Sequence, residues 1–357
     1  MNDSISRRRL LSAALATGAT GVLMPQAAWA QAAAIKRTTN GLGAKPLRIY
    51  AITFRGMTEV EKGFEEHFAA RKIPVQITYR DLNRDIKRMG GFLDEIRATK
   101  PDLIYTWGTS VTLGVVGPHD TPTPEKFITE IPVVFTLVAA PTLAKIVGED
   151  GSARSNITGV VHIAPVAAQV QAMASYRPYK TVGVLYTPTE ENSVVIINEL
   201  RKLGREKGFD VVERTFKLDA KGKPTADGAA DMVRELKESK AQWLYLPPDS
   251  FLGTLAQDTI IPTAMASGLP TFASTEQLMQ AGSLSGLVSR YHSVGQFTAF
   301  KAEEILIGKK QPSTIPIETL KRFSYQVRIS AAERLKLMPP LSMFNYAEII
   351  NDAPISQ

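Results

Sequence analysis

The sequence predicts an α/β protein of two lobes, each a doubly wound parallel sheet covered by helices. Three observations carry this. The chain has 357 residues, more than the roughly 250–300 at which one hydrophobic core stops growing. Short β-rich apolar runs alternate with amphipathic helical stretches in two series of comparable length, a pattern that builds parallel sheets. A Gly- and Ser-rich stretch at residues 148–156 separates the two series. No sequence repeat links them, so the likeness between the series is one of pattern only.

In the first series, residues 46–52 read as a strand. Thr58 and Glu61 have capping-box spacing at the start of a helix, and Val60, Phe64 and Phe68 fall four apart on one of its faces. Ile86, Met89, Phe92, Leu93 and Ile96 repeat the helical pattern until Pro101 stops it. Residues 102–106 and 131–137 are near-continuous apolar runs, as strands covered on both faces require. The second series reads strand 181–186, helix 193–206, strand 209–212, helix 229–238, strand 242–246, helix 252–266 and strand 270–273. Residues 325–329 and 331–337 add a last strand and helix.

Composition narrows the function. At 44% hydrophobic and 22% charged the chain is neither disordered nor a multi-span membrane protein. The absence of cysteine excludes disulfides, thiolate metal sites, a cysteine nucleophile and a lipid-modified N-terminal Cys. Residues 1–30 have the form of an export signal. Ser6-Arg7-Arg8-Arg9-Leu10-Leu11 opens it in twin-arginine style, an Ala/Gly-rich apolar stretch follows, and Ala28-Trp29-Ala30 is a small-x-small cleavage site. A general secretory signal is the plainer alternative; both lead to the periplasm, with the mature chain starting at Gln31. That chain has 39 basic and 34 acidic residues, a net charge of +5 spread without clusters. A nucleic-acid partner would need a basic stripe, so none is expected.

Chemistry is expected just beyond the carboxyl ends of the strands. Those segments include Thr53-Phe54-Arg55-Gly56, Trp107-Gly108-Thr109-Ser110, residues 187–193, Pro247-Pro248-Asp249-Ser250 and Ser274-Thr275-Glu276. They are rich in hydroxyls and amides and several open a helix, which suits a small anion such as a carboxylate. Each Ser, Thr or Asn taken singly is more readily a plain helix cap, its commonest role; the set facing one crevice between two lobes is what points to a ligand. No phosphate-cradling glycine loop is present. His67, His119, His162 and His292 have no metal-ligand spacing, and Gly282-Ser283-Leu284-Ser285-Gly286 places Leu284 where a nucleophilic serine would stand. Neither catalytic residues, nor a metal, nor a cofactor is expected. His67 is read as a satisfied, partly buried histidine, and Glu65-Glu66 as solvated charge.

The order and spacing of these motifs, from about residue 46 to 340, resemble the extracytoplasmic solute-binding proteins of ABC importers, of the tryptophan/aromatic amino-acid-binding type. Gly108-Thr109-Ser110, residues 131–136, Asn156-Ile157-Thr158-Gly159-Val160, residues 183–193, residues 246–249, Ala281-Gly282-Ser283-Leu284 and residues 308–312 carry the resemblance. It implies a type I periplasmic-binding-protein fold with a three-strand hinge. One lobe would hold residues 45–160 and 286–316, the other 161–285 and 317–350. Carried over by position, Thr109, Ser110 and Thr136 would bond a ligand carboxylate. Asn192 and Ser193 would meet it from the second lobe, and Asp249 would accept an α-ammonium. Capping of the helix near Phe251 is the alternative for Asp249, as a core position is for Phe54, which would otherwise pack on the ligand. This chain departs from the family at Ala139-Ala140-Pro141, at Thr187 and at Ser289-Arg290-Tyr291-His292. Arg290 there puts a cation near the cleft and favours an acidic solute.

The expected function is that of a monomeric periplasmic binding protein taking a small carboxylate-bearing solute, an amino acid as the expected class, to a membrane ABC permease. Two alternatives are a periplasmic sensor that shows its closed form to a membrane receptor, and an exported enzyme.

Overall fold

A computed structural model describes residues 36–38, 45–121, 123–148 and 154–352. The export-signal reading falls on residues outside these. The chain first runs β1 (Lys36–Thr38), β2 (Leu47–Thr53), α1 (Glu59–Ala70), β3 (Val75–Asp81), α2 (Met89–Thr99), β4 (Leu103–Trp107), α3 (Thr109–Val116), β5 (Val133–Val138) and β6 (Ile157–Val161). It continues through α4 (Val166–Tyr176), β7 (Thr181–Tyr186), α5 (Glu191–Lys207), β8 (Asp210–Thr215), α6 (Ala229–Glu238), β9 (Trp243–Leu246), α7 (Ser250–Leu255), α8 (Ile261–Ala266), β10 (Thr271–Ala273), α9 (Glu276–Gln280) and β11 (Ser285–Val288). It closes with α10 (Tyr291–Leu306), β12 (Glu318–Thr319), β13 (Ser324–Arg328), α11 (Ile329–Arg334) and β14 (Glu348–Ile350).

The strands form two seven-stranded sheets, in the orders β1-β3-β2-β4-β5-β6-β12 and β14-β13-β11-β10-β9-β7-β8. Pairing is parallel except at β1–β3 and β11–β13. The chain passes from one lobe to the other three times, after β6, after β11 and after β12. Two lobe boundaries differ from the expected ones. Gly286 lies inside β11, in the second sheet, so the first lobe resumes only with α10. Glu318 and Thr319 pair with Val160 and Val161 of the first sheet, beyond the expected limit at Pro316. A two-residue strand and a strand ending at a crossover carry almost no periodic signal, which is why both limits slipped.

Period-two alternation divides each lobe into two apolar layers. In β9 the side chains of Trp243 and Tyr245 join α4 and α5 on one face of the second sheet, while Leu244 and Leu246 join α6 and the α7–α8 segment on the other. In β4, Ile104 packs with α2 and α3, and Leu103 and Tyr105 pack with α1 and α10. The capping box of α1 forms: the Thr58 side chain accepts from the Val60 amide, and Glu61 accepts from the Thr58 amide at 2.7 Å. Glu61 is also fully buried and takes the Tyr105 hydroxyl as a donor. Between α7 and α8 the helix widens to i→i+5 bonding over Ala256–Ile260, where the sequence suggested one unbroken helix.

Candidate ligand-binding cleft

The strand ends of both sheets converge on a cavity of about 310 Å³. From the first lobe come Phe54 and Arg55 after β2, Trp107 to Ser110 after β4, and Leu137 and Ala139 at the end of β5. From the second come Thr189 to Asn192 after β7, Pro248 to Ser250 after β9, and Thr275, Gln277 and Leu278 after β10. His162 and Tyr291 enter from two of the crossovers. This is the place where parallel sheets offer a ligand their strand ends and helix starts.

Two expected contacts meet across the cavity. Thr109, in the first turn of α3, and Asn192, in the first turn of α5, are joined by a hydrogen bond of 3.2 Å from the amide nitrogen to the hydroxyl. Beside them α3 starts at Gly108 with no side-chain cap, so its first amides have no partner inside the helix and face the side where an anion would sit. Ser110 lines the mouth and is exposed. Phe54 lines the wall, its ring stacked on Trp107 with centroids 6.3 Å apart and planes 9° apart.

Asp249 lines the cavity too, but its carboxylate is already occupied. Oδ1 accepts from the Leu252 amide at 2.8 Å and the Thr187 hydroxyl at 3.0 Å; Oδ2 accepts from the Thr187 amide at 2.6 Å and the Ser193 hydroxyl at 2.7 Å. The alternative reading of Asp249 as the cap of α7 is therefore present in the structure. Thr187 supplies half of these donors. Ser193 is fully buried beneath Asp249 and does not line the cavity.

Two expected site residues lie elsewhere. Thr136 is fully buried, and the Thr298 hydroxyl of α10 donates to it at 3.2 Å. The pleat of β5 sends Val134 and Thr136 under α10, and it is Leu137, with a left-handed φ of 52°, that reaches the cavity. Arg290 pairs with Glu348 of β14 at 2.5 Å, half-exposed on a separate surface pocket. The crossover turns it outward, so it is not the cleft's cation.

That cation is Arg55, with Arg84 at the mouth. The Arg55 guanidinium lies over the Trp107 ring, 4.9 Å from its centroid, in a cation–π arrangement. Burial pulls its pKa below the ordinary value. On the opposite wall Glu190 accepts from the Ser250 amide at 2.9 Å and hydroxyl at 2.7 Å. Its carboxyl is pushed up to about 7, first by burial and then by the charge of Asp249. His162, 6% exposed, has its pKa lowered to about 4 by burial and so is neutral, and its Nδ1 has no hydrogen-bond partner. Sequence reasoning quoted Arg55 and Glu190 within the strand-end segments without weighing their charges. For His162 the one signal was its position directly after β6.

Among the described residues no group of three His, Asp or Glu could hold a metal, and no helix is long and apolar enough to cross a membrane. The His67 imidazole meets Glu303 at 2.7 Å, partly buried, and Glu66 meets His292 at 2.7 Å.

Two lobes linked by three crossovers, with a cavity between their strand ends, define the class of two-lobed cleft binding proteins. Residues 50–349 match the family described as ABC transporter substrate binding protein, and the chain belongs to that family. A tyrosine-binding protein of Clostridioides difficile strain R20291 is 23% identical over 247 residues, which cover 69% of this chain. The match spans 66% of that relative's length, a little under two thirds. A conserved domain protein of Vibrio cholerae O1 biovar eltor superposes with a TM-score of 0.72 at 20% identity, over 86% of this chain and all of the other. An ABC domain from Streptococcus pneumonia in complex with L-Trp superposes with a TM-score of 0.69 at 20% identity, over 85% of this chain and all of the other. The fold is that of the type I periplasmic binding proteins. The family is one of substrate-binding proteins.

Proposed function

We propose that this chain is the periplasmic, monomeric binding component of an ABC importer. It captures a small carboxylate-bearing solute between its lobes and presents it to a membrane permease. The observation that carries this reading is the Thr109–Asn192 hydrogen bond across the cavity, beside the uncapped start of α3. A carboxylate leaving water needs its hydration replaced by fixed donors, and free helix-start amides with flanking hydroxyls provide them. Thr109 and Ser110 are its first-lobe partners in this reading and Asn192 its second-lobe partner. Phe54 walls the cavity, Ser193 holds Asp249 in place, and Thr136 and Arg290 have no part.

An amino acid is the expected class, in keeping with the tyrosine-binding relative and the L-Trp-bound neighbour. With Asp249 saturated by four donors, Glu190 beside it takes over as acceptor for a ligand ammonium. Calorimetric titration with a panel of amino acids and each one's methyl ester tests the reading. Binding of an acid with loss of about tenfold or more on esterification supports it. Equal binding of acid and ester would remove the carboxylate from the account.

A further inference from the structure

We infer that the solute carries a second anionic group, and that Arg55 is the residue that selects for it. The inference deepens the carboxylate-binding reading and rests on it. The start of α3 accounts for one anion. Arg55 is a second, separate provision: it lines the cavity, stacks on Trp107 at 4.9 Å, and has no carboxylate within 4.0 Å among the described residues; the Tyr291 side chain and, farther off, the Glu61 carboxylate are the groups that favour its charge. Of the other part-buried arginines, Arg80 is matched by Glu95 and Arg328 by Asp352, while Arg88 and Arg154 bond the backbone carbonyls of Asp81 and Gly117 outside the cavity. A guanidinium drawn out of water without a carboxylate at contact distance is costly unless a ligand supplies one.

The surroundings of Arg55 point the same way. His162 is nine-tenths buried, reaches the same cavity, and leaves Nδ1 without a partner; Trp107 Nε1 is likewise buried and unpartnered. Arg84 adds a second positive charge at the mouth. The carboxyl groups of the cavity, Glu190, Glu191 and Asp249, all belong to the second lobe. The first lobe is thus the anion side of the cleft. A small diacid, such as an acidic amino acid, places one carboxylate at α3 and the other on Arg55.

The test compares isosteric pairs that differ only in that second charge: L-glutamate with L-glutamine, and succinate with succinamate. Affinities are measured by calorimetry on the intact protein and on the Arg55→Met and Arg55→Lys variants, with unliganded thermal unfolding as a check that each variant folds. The wild type should prefer the diacid of at least one pair by about tenfold or more, the range of a charge-assisted hydrogen bond. R55M should bring that ratio to within about threefold, and R55K should retain part of it. A structural defect would weaken both members of a pair together and leave the ratio unchanged. A wild-type ratio near one, or a ratio that survives R55M, overturns the inference. Binding of L-tyrosine or L-leucine without any diacid preference overturns it while leaving the carboxylate reading in place. Binding of neither diacids nor monocarboxylates removes both.

Discussion

Asn192 of the second lobe donates to the Thr109 hydroxyl of the first at 3.2 Å, and these two residues bridge the lobes across the mouth of the cavity. A bond that joins the two lobes should contribute to closure and to ligand retention. Thr109→Ala and Asn192→Ala should each weaken binding. A double-mutant cycle should give a coupling of about 0.5–1.5 kcal/mol, the net worth of a neutral hydrogen bond. Additive losses would mean the bond has no part in the bound state.

Asp249 holds three elements together: the loop after β7, the first turn of α5 and the start of α7. Asp249→Ala removes a helix cap and strands the buried donors of Thr187 and Ser193. A cap is worth about 1 kcal/mol and each stranded donor about 1–3 kcal/mol. The variant should lose about 3 kcal/mol or more of stability in urea. A loss of ligand affinity with unfolding unchanged would restore Asp249 to a purely ligand-facing role.

The two titrating groups of the cleft pull stability in opposite directions with pH. Glu190 has a folded-state pKa of about 7 against an ordinary 4.5. The folded state therefore holds the proton longer, and stability falls as pH rises from 4.5 through 7. Relative to wild type, Glu190→Gln should gain stability steadily over that interval.

His162, with a pKa of about 4 against an ordinary 6.5, behaves in the opposite sense. The unfolded state takes up the proton first, so stability is lost as pH falls from 6.5 towards 4. His162→Gln should be relatively more stable at the acid end. Parallel stability–pH curves for wild type and either variant would contradict that assignment.

Helices α1 and α10 touch through glycine. A Cβ on Gly63 would lie 2.1 Å from the His292 carbonyl oxygen, and one on Gly295 would lie 1.9 Å from that of Val60. Neither obstacle is a side chain that can swing away, so the helices must separate. Gly63→Ala and Gly295→Ala should each cost about 1–3 kcal/mol in denaturant unfolding. Since α10 carries Tyr291 into the cavity, affinity should fall as well.

Much of the fold was legible in the sequence because buried strands and amphipathic helices carry strong periodic signals. Strand Thr181–Tyr186 and helix Ala229–Glu238 have the expected limits. Val75–Asp81 went unread although Val75, Ile77 and Tyr79 alternate with Gln76, Thr78 and Arg80 as a half-buried strand requires. The site was legible where it sits on helix starts, at Thr109 and Asn192. It was misread where the outcome turns on the face a side chain takes, as at Thr136, or on the direction of a crossover, as at Arg290. Arg55 and Glu190 were missed because a charge's significance depends on whether a partner meets it in space.

The central claim, capture of a small carboxylate between the lobes, is tested most directly by the unfolding free energy of the protein with and without solute. Any resident ligand is first removed by denaturation and refolding, and small mono- and dicarboxylates are then added in turn. A cleft-bound solute at 100 times its Kd should add about 2.7 kcal/mol, and the gain should shrink in the Asn192→Ala variant. Unfolding curves that stay superimposed across the whole series would contradict the account.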